Sequence, residues 1–297
     1  MMGVFPVGRS PLTSAVSDRT REIGRVSLVD SAAVVPNPRA QMSSDLRLIS
    51  TDFDGTIHTD FGDAPVPIAL QDKLIALRAQ GVLWVINTGR DLASLMESIG
   101  RARMKVMPDY VVTVEREIHQ HVGGHYQSVE PWNSRCLRDH AAVFGAHSPV
   151  IGALMRSLEA RFDATFYDDI WSPLCAIARS NVQMDAIQAE LDAFSARVPE
   201  LVAVRNDVYV RLSHRGYSKG TALQEIQRLA GLSPAQTLAA GDHLNDLPML
   251  VPSVARWMVT LANGLPQVKA QVSAHGGYTA SKPAGEGVLE ALETLFR

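Results

Sequence analysis

Two aspartates separated by one residue, Asp52 and Asp54, are the first residues whose types and spacing could carry out chemistry. They close the stretch from Leu46 to Thr56, which reads LRLISTDFDGT. Its first residues show the pattern of a buried strand, and Gly55 allows a sharp turn after it. Asp-x-Asp alone is usually a turn, but the five-residue string is rare enough to indicate a functional site. We therefore expect two carboxylates at the carboxyl end of a strand, where open α/β sheets bind ligands.

Three later stretches place polar residues where a predicted strand ends or a predicted helix begins. They read NTGR from Asn87, SKG from Ser218 and GDHLND from Gly241. In a parallel sheet the carboxyl ends of all strands lie at one edge, so residues far apart in sequence meet there. We therefore expect the four stretches to form one site.

The residue types of this site favour phosphoryl chemistry. Crowded carboxylates repel one another unless a cation lies among them, and a site rich in oxygen ligands favours Mg²⁺. Asp52 and Asp242 would hold the metal with water, and Lys219 would add a second positive charge. Such a site suits a phosphoryl group, because its transfer depends mainly on positioning and charge neutralisation. We predict Asp52 as the nucleophile, Asp54 as the general acid and base, and Thr88 as a hydrogen-bond donor to the phosphoryl oxygens.

The elements that would position this site follow a doubly wound α/β pattern. Strand, helix, strand, helix, strand is the predicted order over residues 46–114, and the same texture returns over residues 213–297. Between them, residues 115–212 combine adjacent strands with groups of helices, which predicts an inserted α+β domain. We therefore expect a parallel, Rossmann-like catalytic core formed by the two flanking segments.

The predicted inserted domain begins with a hairpin around the Gly123-Gly124 pair. Three histidines would share one polar face of this hairpin: His119, His121 and His125. Neither a cysteine nor further ligand spacing supports a zinc site there.

Two separate helices are predicted next, at Arg135–Phe144 and Val150–Phe162. Trp132 and Trp171 are expected in the core of the inserted domain. Packing of one of these rings against a bound sugar is the alternative interpretation.

Residues 1–41 show no sustained strand or helix periodicity, and we predict a flexible tail over residues 1–45. Acidic residues and the lack of a continuous apolar run argue against a targeting peptide. Met42 lies a few residues before the first strand, so translation from Met42 is an alternative to the longer chain.

Composition excludes several functional classes. The 297 residues are 46% hydrophobic with a net charge of −3, as in a globular protein of one large or two ordinary domains. No apolar run approaches the ~20 residues that span a bilayer. No block of basic residues offers a surface for nucleic acid. Cys136 and Cys175 follow no metal-ligand spacing. We therefore expect a cytoplasmic protein with neither a nucleic-acid nor a membrane partner.

In their order, DFDGT, NTGR, SKG and GDHLND resemble the four motifs of the haloacid-dehalogenase superfamily. The likeness is specifically to its Cof-type and sucrose-phosphatase-like branch of Mg²⁺-dependent phosphatases, and it extends from Leu46 to Phe296. It implies a substrate-covering domain between the second and third motifs. Thr88 and Lys219 lie 131 positions apart, far more than the dozen or so residues of a simple crossover.

The resemblance also assigns roles to individual residues. It places Asp242 on the metal together with the main-chain carbonyl of Asp54, and Asn263-Gly264 resembles the Asn-Ala that follows the next strand in the family. The metal site predicted on this basis comprises Asp52, Asp54, Asp242 and Asp246. The predicted phosphate-binding residues are Thr88, Gly89, Arg90, Lys219 and Asn245.

This chain departs from the branch after its third strand. Where the branch usually has Asn-Gly, the chain has Glu115-Arg116-Glu117. We expect the entry to the inserted domain, and part of its substrate contact, to be altered there.

The leading hypothesis is a phosphatase that hydrolyses a small phosphorylated metabolite, most naturally a sugar phosphate, through an aspartyl-phosphate. A phosphotransferase or phosphomutase of the same superfamily is the alternative enzyme, and transfer to a sugar acceptor would identify it. A signalling receiver also gathers carboxylates, a Thr and a Lys, but the inserted domain would have no role in it. A catalytically silent metabolite-binding protein would have little reason to keep both Asp52 and Asp54.

Overall fold

The computed structural model of the protein describes residues 45–60 and 64–296. The predicted tail, apart from its last residue, and Met42 lie outside the described residues. The helices and strands that carry the fold are β1 (Leu48–Thr51), α1 (Ile68–Ala79), β2 (Leu83–Asn87), α2 (Leu92–Arg101), β3 (Tyr110–Thr113), β4 (Glu117–Val122), β5 (His125–Ser128), α3 (Trp132–Glu159), β6 (Thr165–Tyr167), β7 (Cys175–Ile177), α4 (Asn181–Ser195), β8 (Leu201–Asn206), β9 (Tyr209–His214), α5 (Lys219–Ala230), β10 (Thr237–Ala240), β11 (Trp257–Thr260), α6 (Pro266–Ala274), β12 (Tyr278–Thr279) and α7 (Ala284–Leu295).

An eight-stranded sheet, in the order β12-β11-β10-β1-β2-β3-β4-β5, forms the core. Its first six strands are parallel. Alternation along β1 divides the side chains between two faces: Ile49 packs with α1, α2 and α7, whereas Leu48 packs with α5 and α6. Because both faces are covered, central strands such as β2 are apolar almost throughout. The predicted doubly wound α/β core is confirmed.

The hairpin of β4 and β5 belongs to this core sheet. β4 pairs antiparallel with β3, and β5 pairs antiparallel with β4. We had placed the hairpin at the start of the inserted domain, because its polar sequence differs from that of the buried strands. That polarity instead reflects the exposed edge of the core sheet, where burial is incomplete.

The register of the hairpin also corrects the prediction of a shared histidine face. His119 and His121 lie on one face of β4, since residues two apart in a strand point the same way. His125 pairs with Val122, which is on the opposite face.

A second layer, here named the cap, consists of residues 132–214. Its four antiparallel strands follow the order β6-β7-β9-β8. One face of this sheet packs against α3 and α4 through side chains that include Val210 and Leu212. The opposite face presents Tyr167, Tyr209 and Arg211, which share it by register.

Two predictions for the cap are corrected. The helices expected at 135–144 and 150–162 are one continuous helix, α3, with Pro149 inside it. Proline removes a helical hydrogen bond, but Val143, Ile151 and Leu158 pack into one apolar cluster and hold the helix together. Trp132 packs in the apolar cluster of the core sheet and not in the cap cluster that contains Val143 and Ile151, because the first turn of α3 reaches back over that sheet.

Within the described residues, no helix combines the length and the apolar character needed to cross a membrane.

Candidate active site

The parallel strands bring three of the predicted motifs to one edge of the sheet. Asp52 follows β1, Thr88 follows β2 and Asp242 comes two residues after β10. β1 lies between β2 and β10, so these residues are neighbours across the sheet. Asn87 donates from Nδ2 to the carbonyl of Lys219 over 2.9 Å, which ties the start of α5 to the same edge.

Lys219 is positioned by the way α5 begins. Ser218 is the N-cap, as predicted, and its hydroxyl accepts from the amide of Thr221. A cation in the first turn opposes the helix dipole, and here two carboxylates offset that cost. Lys219 Nζ lies 2.9 Å from Asp52 Oδ1 and 2.6 Å from Asp246 Oδ1, and the side chain is fully buried.

The ionisation of this group follows from burial and charge together. Burial raises the pKa of Asp52 well above its usual range, Lys219 opposes that shift, and the nearby carboxylates reinforce it. Burial alone would lower the pKa of Lys219, but Asp246, Asp52 and Glu115 together raise it above its ordinary value. The lysine is therefore a fixed positive charge beside Asp52.

Asp54 has a different environment, although it is only two residues away. Arg90 donates to both of its oxygens, over 2.6 and 2.8 Å, and His58 Nδ1 lies 3.5 Å away. Burial by itself would raise the pKa of Asp54, but His58 and Arg90 lower it to about 2. Arg90, which we predicted to bind phosphate, thus holds Asp54 in this structure.

Three of the four predicted metal residues come together. Asp52, Asp242 and Asp246 each offer an oxygen within 4.8 Å of the others. The side chain of Asp54 is outside this group, in keeping with a role for its main-chain carbonyl only. Buried carboxylates without histidine or cysteine suit a hard cation such as Mg²⁺, so the residues present fit the predicted metal.

Asp242 is oriented by its neighbours. Thr56 Oγ1 donates to Oδ1 over 2.6 Å, and Asn263 Nδ2 lies 3.2 Å from Oδ2 and 2.8 Å from the carbonyl oxygen of Gly55. Burial first, and the charge of Asp246 second, raise the pKa of Asp242 to about 6. Gly55 has a φ of +72°, and a Cβ there would lie 2.5 Å from Asp242 Oδ2. Only glycine fits this turn.

Asp246 supports the site in addition to facing it. Its Oδ2 accepts from the amides of Asp242 and His243, each over 2.9 Å, and its Oδ1 contacts Lys219. The side chain of Asp246 therefore fixes the loop after β10 while completing the carboxylate cluster.

The remaining predicted phosphate-binding residues line the same edge. Thr88 is buried, and its hydroxyl accepts from the amide of Arg90 over 3.2 Å. Asn245 donates from Nδ2 to Glu115 Oε1 over 2.9 Å. A Cβ on Gly89 would lie 3.2 Å from that same oxygen. Glu115 is thus part of the site.

Sequence reasoning did not identify Glu115 or Arg211 as site residues. Glu115 was visible only as a departure from the family pattern, and no signal distinguished Arg211 from any polar residue on a half-buried strand. Arg211 Nη2 donates to Glu115 Oε2 over 3.1 Å, and both side chains are more than nine-tenths buried. Burial alone would raise the pKa of Glu115, but Arg211 and Lys219 hold it below its ordinary value.

A cavity of about 540 Å³ lies between the cap and the core. Its core side includes Glu115, Lys219 and Asn245, and its cap side is formed by β8 and part of α4. The cap also touches the core at His243, whose Nε2 accepts from the amide of Asp207 over 3.0 Å. Since Lys219 contacts Asp52, the cavity reaches the predicted nucleophile's immediate partner.

Comparisons of sequence and of structure both relate the chain to phosphatases. The family model for sucrose-6F-phosphate phosphohydrolase matches residues 45–295. The protein named "Putative phosphatase YxeH" from Bacillus subtilis (strain 168) is 23% identical over 257 residues, covering 75% of this chain and 89% of that protein.

Two solved structures share the fold. The sucrose-phosphatase of Synechocystis sp. PCC6803, solved with sucrose and phosphate, has a TM-score of 0.65 and 20% identity, covering 84% of this chain and 98% of that one. A subclass IIB sugar phosphatase of the haloacid-dehalogenase superfamily has a TM-score of 0.57 and 16% identity, with the same coverage.

The family match spans nearly all of the described residues, including the four motifs and the carboxylate cluster that they form. The chain therefore belongs to the sucrose-6F-phosphate phosphohydrolase family, and it is a phosphatase of the haloacid-dehalogenase superfamily.

Proposed function

We propose that the protein hydrolyses a small sugar phosphate through an aspartyl-phosphate on Asp52. The observation that carries this proposal is the buried contact of Asp52 with Lys219 beside two further carboxylates. A carboxylate next to a fixed cation can approach a phosphate dianion, whose charge the lysine would help to neutralise. Mg²⁺ held by Asp52, Asp242 and Asp246 would supply the rest of the charge neutralisation.

The proposed reaction has two displacement steps. In the first, an oxygen of Asp52 forms a bond to phosphorus as the bond to the sugar oxygen breaks, and the sugar oxygen takes a proton from Asp54. In the second, Asp54 removes a proton from water, which attacks phosphorus and releases Asp52 and inorganic phosphate. Asp54 ends with the proton it began with, so the cycle balances.

Arg90 places a condition on the first step. With a pKa of about 2, Asp54 is a carboxylate in this structure, which is the form required to accept a proton from water. To donate a proton to the leaving oxygen, the Asp54 carboxyl must separate from the two guanidinium donors of Arg90.

We propose that the cap selects the substrate, in line with the predicted role of the inserted domain. The cap contacts the core at Glu115, beside the loop after β2, and at His243, in the loop after β10. The cavity between the cap and the core is large enough for a sugar. The sucrose and phosphate bound in the Synechocystis structure and the family description both favour a sugar leaving group.

The test is a panel of phosphorylated sugars and a small generic phosphate ester, assayed for phosphate release with Mg²⁺ and with excess chelator. We expect sugar phosphates to be preferred and release to stop with chelator. Sugar acceptors added to the assay would reveal the alternative activity, phosphoryl transfer. Absence of phosphate release from every ester would contradict the proposal.

A further inference from the structure

A buried ion pair joins the cap to the core directly beside the loop that follows β2, which contains the predicted phosphate-binding residues Thr88, Gly89 and Arg90. Arg211 lies on β9 of the cap, and Glu115 follows β3 of the core. Arg211 Nη2 lies 3.1 Å from Glu115 Oε2, with side-chain exposures of 3% and 8%. Burial at this level removes both charges from solvent, so the pair needs neutralisation within the protein. Arg211 acts first on Glu115, and Lys219 adds to its effect.

The backbone fixes Glu115 against the loop that follows β2. Its amide donates to the carbonyl of Thr88 over 2.9 Å, and the amide of Val114 donates to the carbonyl of Arg90 over 2.9 Å. Val114 and Glu115 have φ values of +44° and +67°, which residues other than glycine rarely adopt. Such strained positions persist only where the surroundings hold them, and they cluster at functional sites.

A carboxylate in this place should disfavour the binding of phosphate. Glu115 Oε1 would lie 3.2 Å from a Cβ on Gly89, inside the predicted phosphate-binding loop. Its Oε1 is also held 2.9 Å from Asn245 Nδ2. An uncompensated negative charge about 4 Å from a phosphate weakens binding by roughly 1000-fold at an effective dielectric constant near 20.

Arg211 supplies the compensation. Among the residues that the structure describes, Arg211 is the cap residue that forms an ion pair with Glu115. Its Nε has no hydrogen-bond partner in that part of the chain, although it is buried. Its Nη2 is 3.5 Å from the carbonyl oxygen of Gly89, so the positive charge faces the same loop.

We propose that Arg211 is a positioning residue that makes phosphate binding depend on the docked cap. Arg211 neutralises Glu115, so the loop accepts an anion only when the cap is in place. A phosphate ester would then not bind to the open site before the cap docks. This inference rests on the proposed function, because it presumes that the loop after β2 binds the phosphoryl group.

The test is calorimetric binding of inorganic phosphate in Mg²⁺, with melting temperature recorded for every variant. We expect Arg211→Met to lower phosphate affinity by about 10-fold or more, since Glu115 loses its ion-pair partner and keeps only the more limited compensation from Lys219 and Asn245. Glu115→Gln keeps the shape and removes the charge, so it should bind phosphate at least as tightly as the wild type. Combining Arg211→Met with Glu115→Gln should restore affinity to within about threefold of wild type.

Arg161→Met is the matched control. Arg161 also pairs with a carboxylate, that of Glu190 at 2.7 Å, but Arg161 follows α3, Glu190 lies on α4, and both side chains are exposed. Its phosphate affinity should be unchanged. If Arg211 acted only on folding, or bound phosphate directly, the double variant would remain as weak as Arg211→Met, and the proposal would be overturned. Should Arg211→Met not fold, a loss of affinity in Glu115→Gln alone would overturn it equally.

Failure of the two proposals can be told apart. Wild-type protein that neither binds phosphate nor releases it from esters would refute the proposed function. Wild-type protein that binds phosphate, with Arg211→Met binding it equally well, would refute only the role of the ion pair.

Discussion

Asp52 and Asp54 are identical residues separated by one position, yet they acquire different chemistry. Asp52 is buried against a lysine, and Asp54 is partly exposed and held by an arginine. β1 ends at Thr51, directly before Asp52, and the irregular chain that follows carries the second carboxylate into another environment. Two carboxyl groups with separated proton affinities are what a nucleophile and an acid/base residue require.

Asp52→Asn should reduce turnover by at least about 1000-fold, because an amide is a poor nucleophile. The fold should persist, since the amide can still contact Lys219. Phosphate release and thermal unfolding would be measured for each variant. Asp72→Asn is the control, because Asp72 is an exposed aspartate on α1. Activity of the Asp52 variant above a tenth of wild type would exclude it as the nucleophile.

Arg90→Gln should raise the pKa of Asp54 from about 2 toward or above its ordinary 3.8. Because the folded pKa is the lower one, the pairing stabilises the protein fully above pH 3.8 and loses that effect as pH falls through 2. The stability difference between wild type and variant should therefore shrink between these values. Chemical unfolding from pH 2 to pH 6 would measure it, and a difference independent of pH would contradict the assignment.

Much of the site could be read from the sequence at this scale. Asp52, Lys219 and Asp242 meet because strand ends in a parallel sheet share one edge, which periodicity predicts. Arg90 and Glu115 could not be placed, because their contacts depend on the path of a loop and on a partner in the cap. Arg211 gave no signal, since sequence does not say which face of a cap strand meets the core.

At the scale of elements, side chains alternate between the two faces of the cap sheet, so that one face packs on helices and the other faces away from them. Val210 and Leu212 pack on the helices, whereas Tyr209 and Arg211 lie on the opposite face. The strands themselves were largely predictable, but the continuous α3 was not. Tertiary packing of its apolar residues outweighs the local effect of Pro149.

Replacing both Tyr167 and Tyr209 by alanine should impair the preferred sugar phosphate far more than a small ester. These rings share the cap face that carries Arg211, and we expect a large leaving group to contact them where a small one does not reach. We expect kcat/KM to fall about 10-fold or more for the sugar phosphate and less than about threefold for the small ester. Tyr126→Phe on the core hairpin is the control. Equal losses for both substrates would show that the rings serve folding alone.

At the scale of the whole molecule, the carboxylate cluster should make the stability of the protein depend on metal binding. Without metal, the pKa of Asp242 is raised from 3.8 to about 6 in the folded protein. The folded state then binds more protons than the unfolded chain, so stability should fall as pH rises from 3.8 through 6. A cation that binds only the folded, ionised site reverses this trend.

Adding Mg²⁺ to chelator-treated protein at pH 7 should therefore raise the melting temperature by several degrees, at about 2–4 °C per kcal/mol for a chain of this size. Asp242→Asn should show a smaller shift, because one ligand charge is lost. Differential scanning fluorimetry with and without Mg²⁺ would measure both. An unchanged melting temperature in the wild type would argue against the metal site.

The hairpin of β4 and β5 has a consequence for how the molecules behave toward one another. The opposite edge strand, β12, has only two residues, and β5 is short and polar, so neither edge of the core sheet offers a long apolar strand for pairing with a second chain. A chain shortened only by removal of the hairpin, residues 117–128, would instead expose β3, whose Val111 and Val112 are fully buried. Light scattering during refolding should show such a truncated chain aggregating, while the chain that keeps its hairpin stays monodisperse.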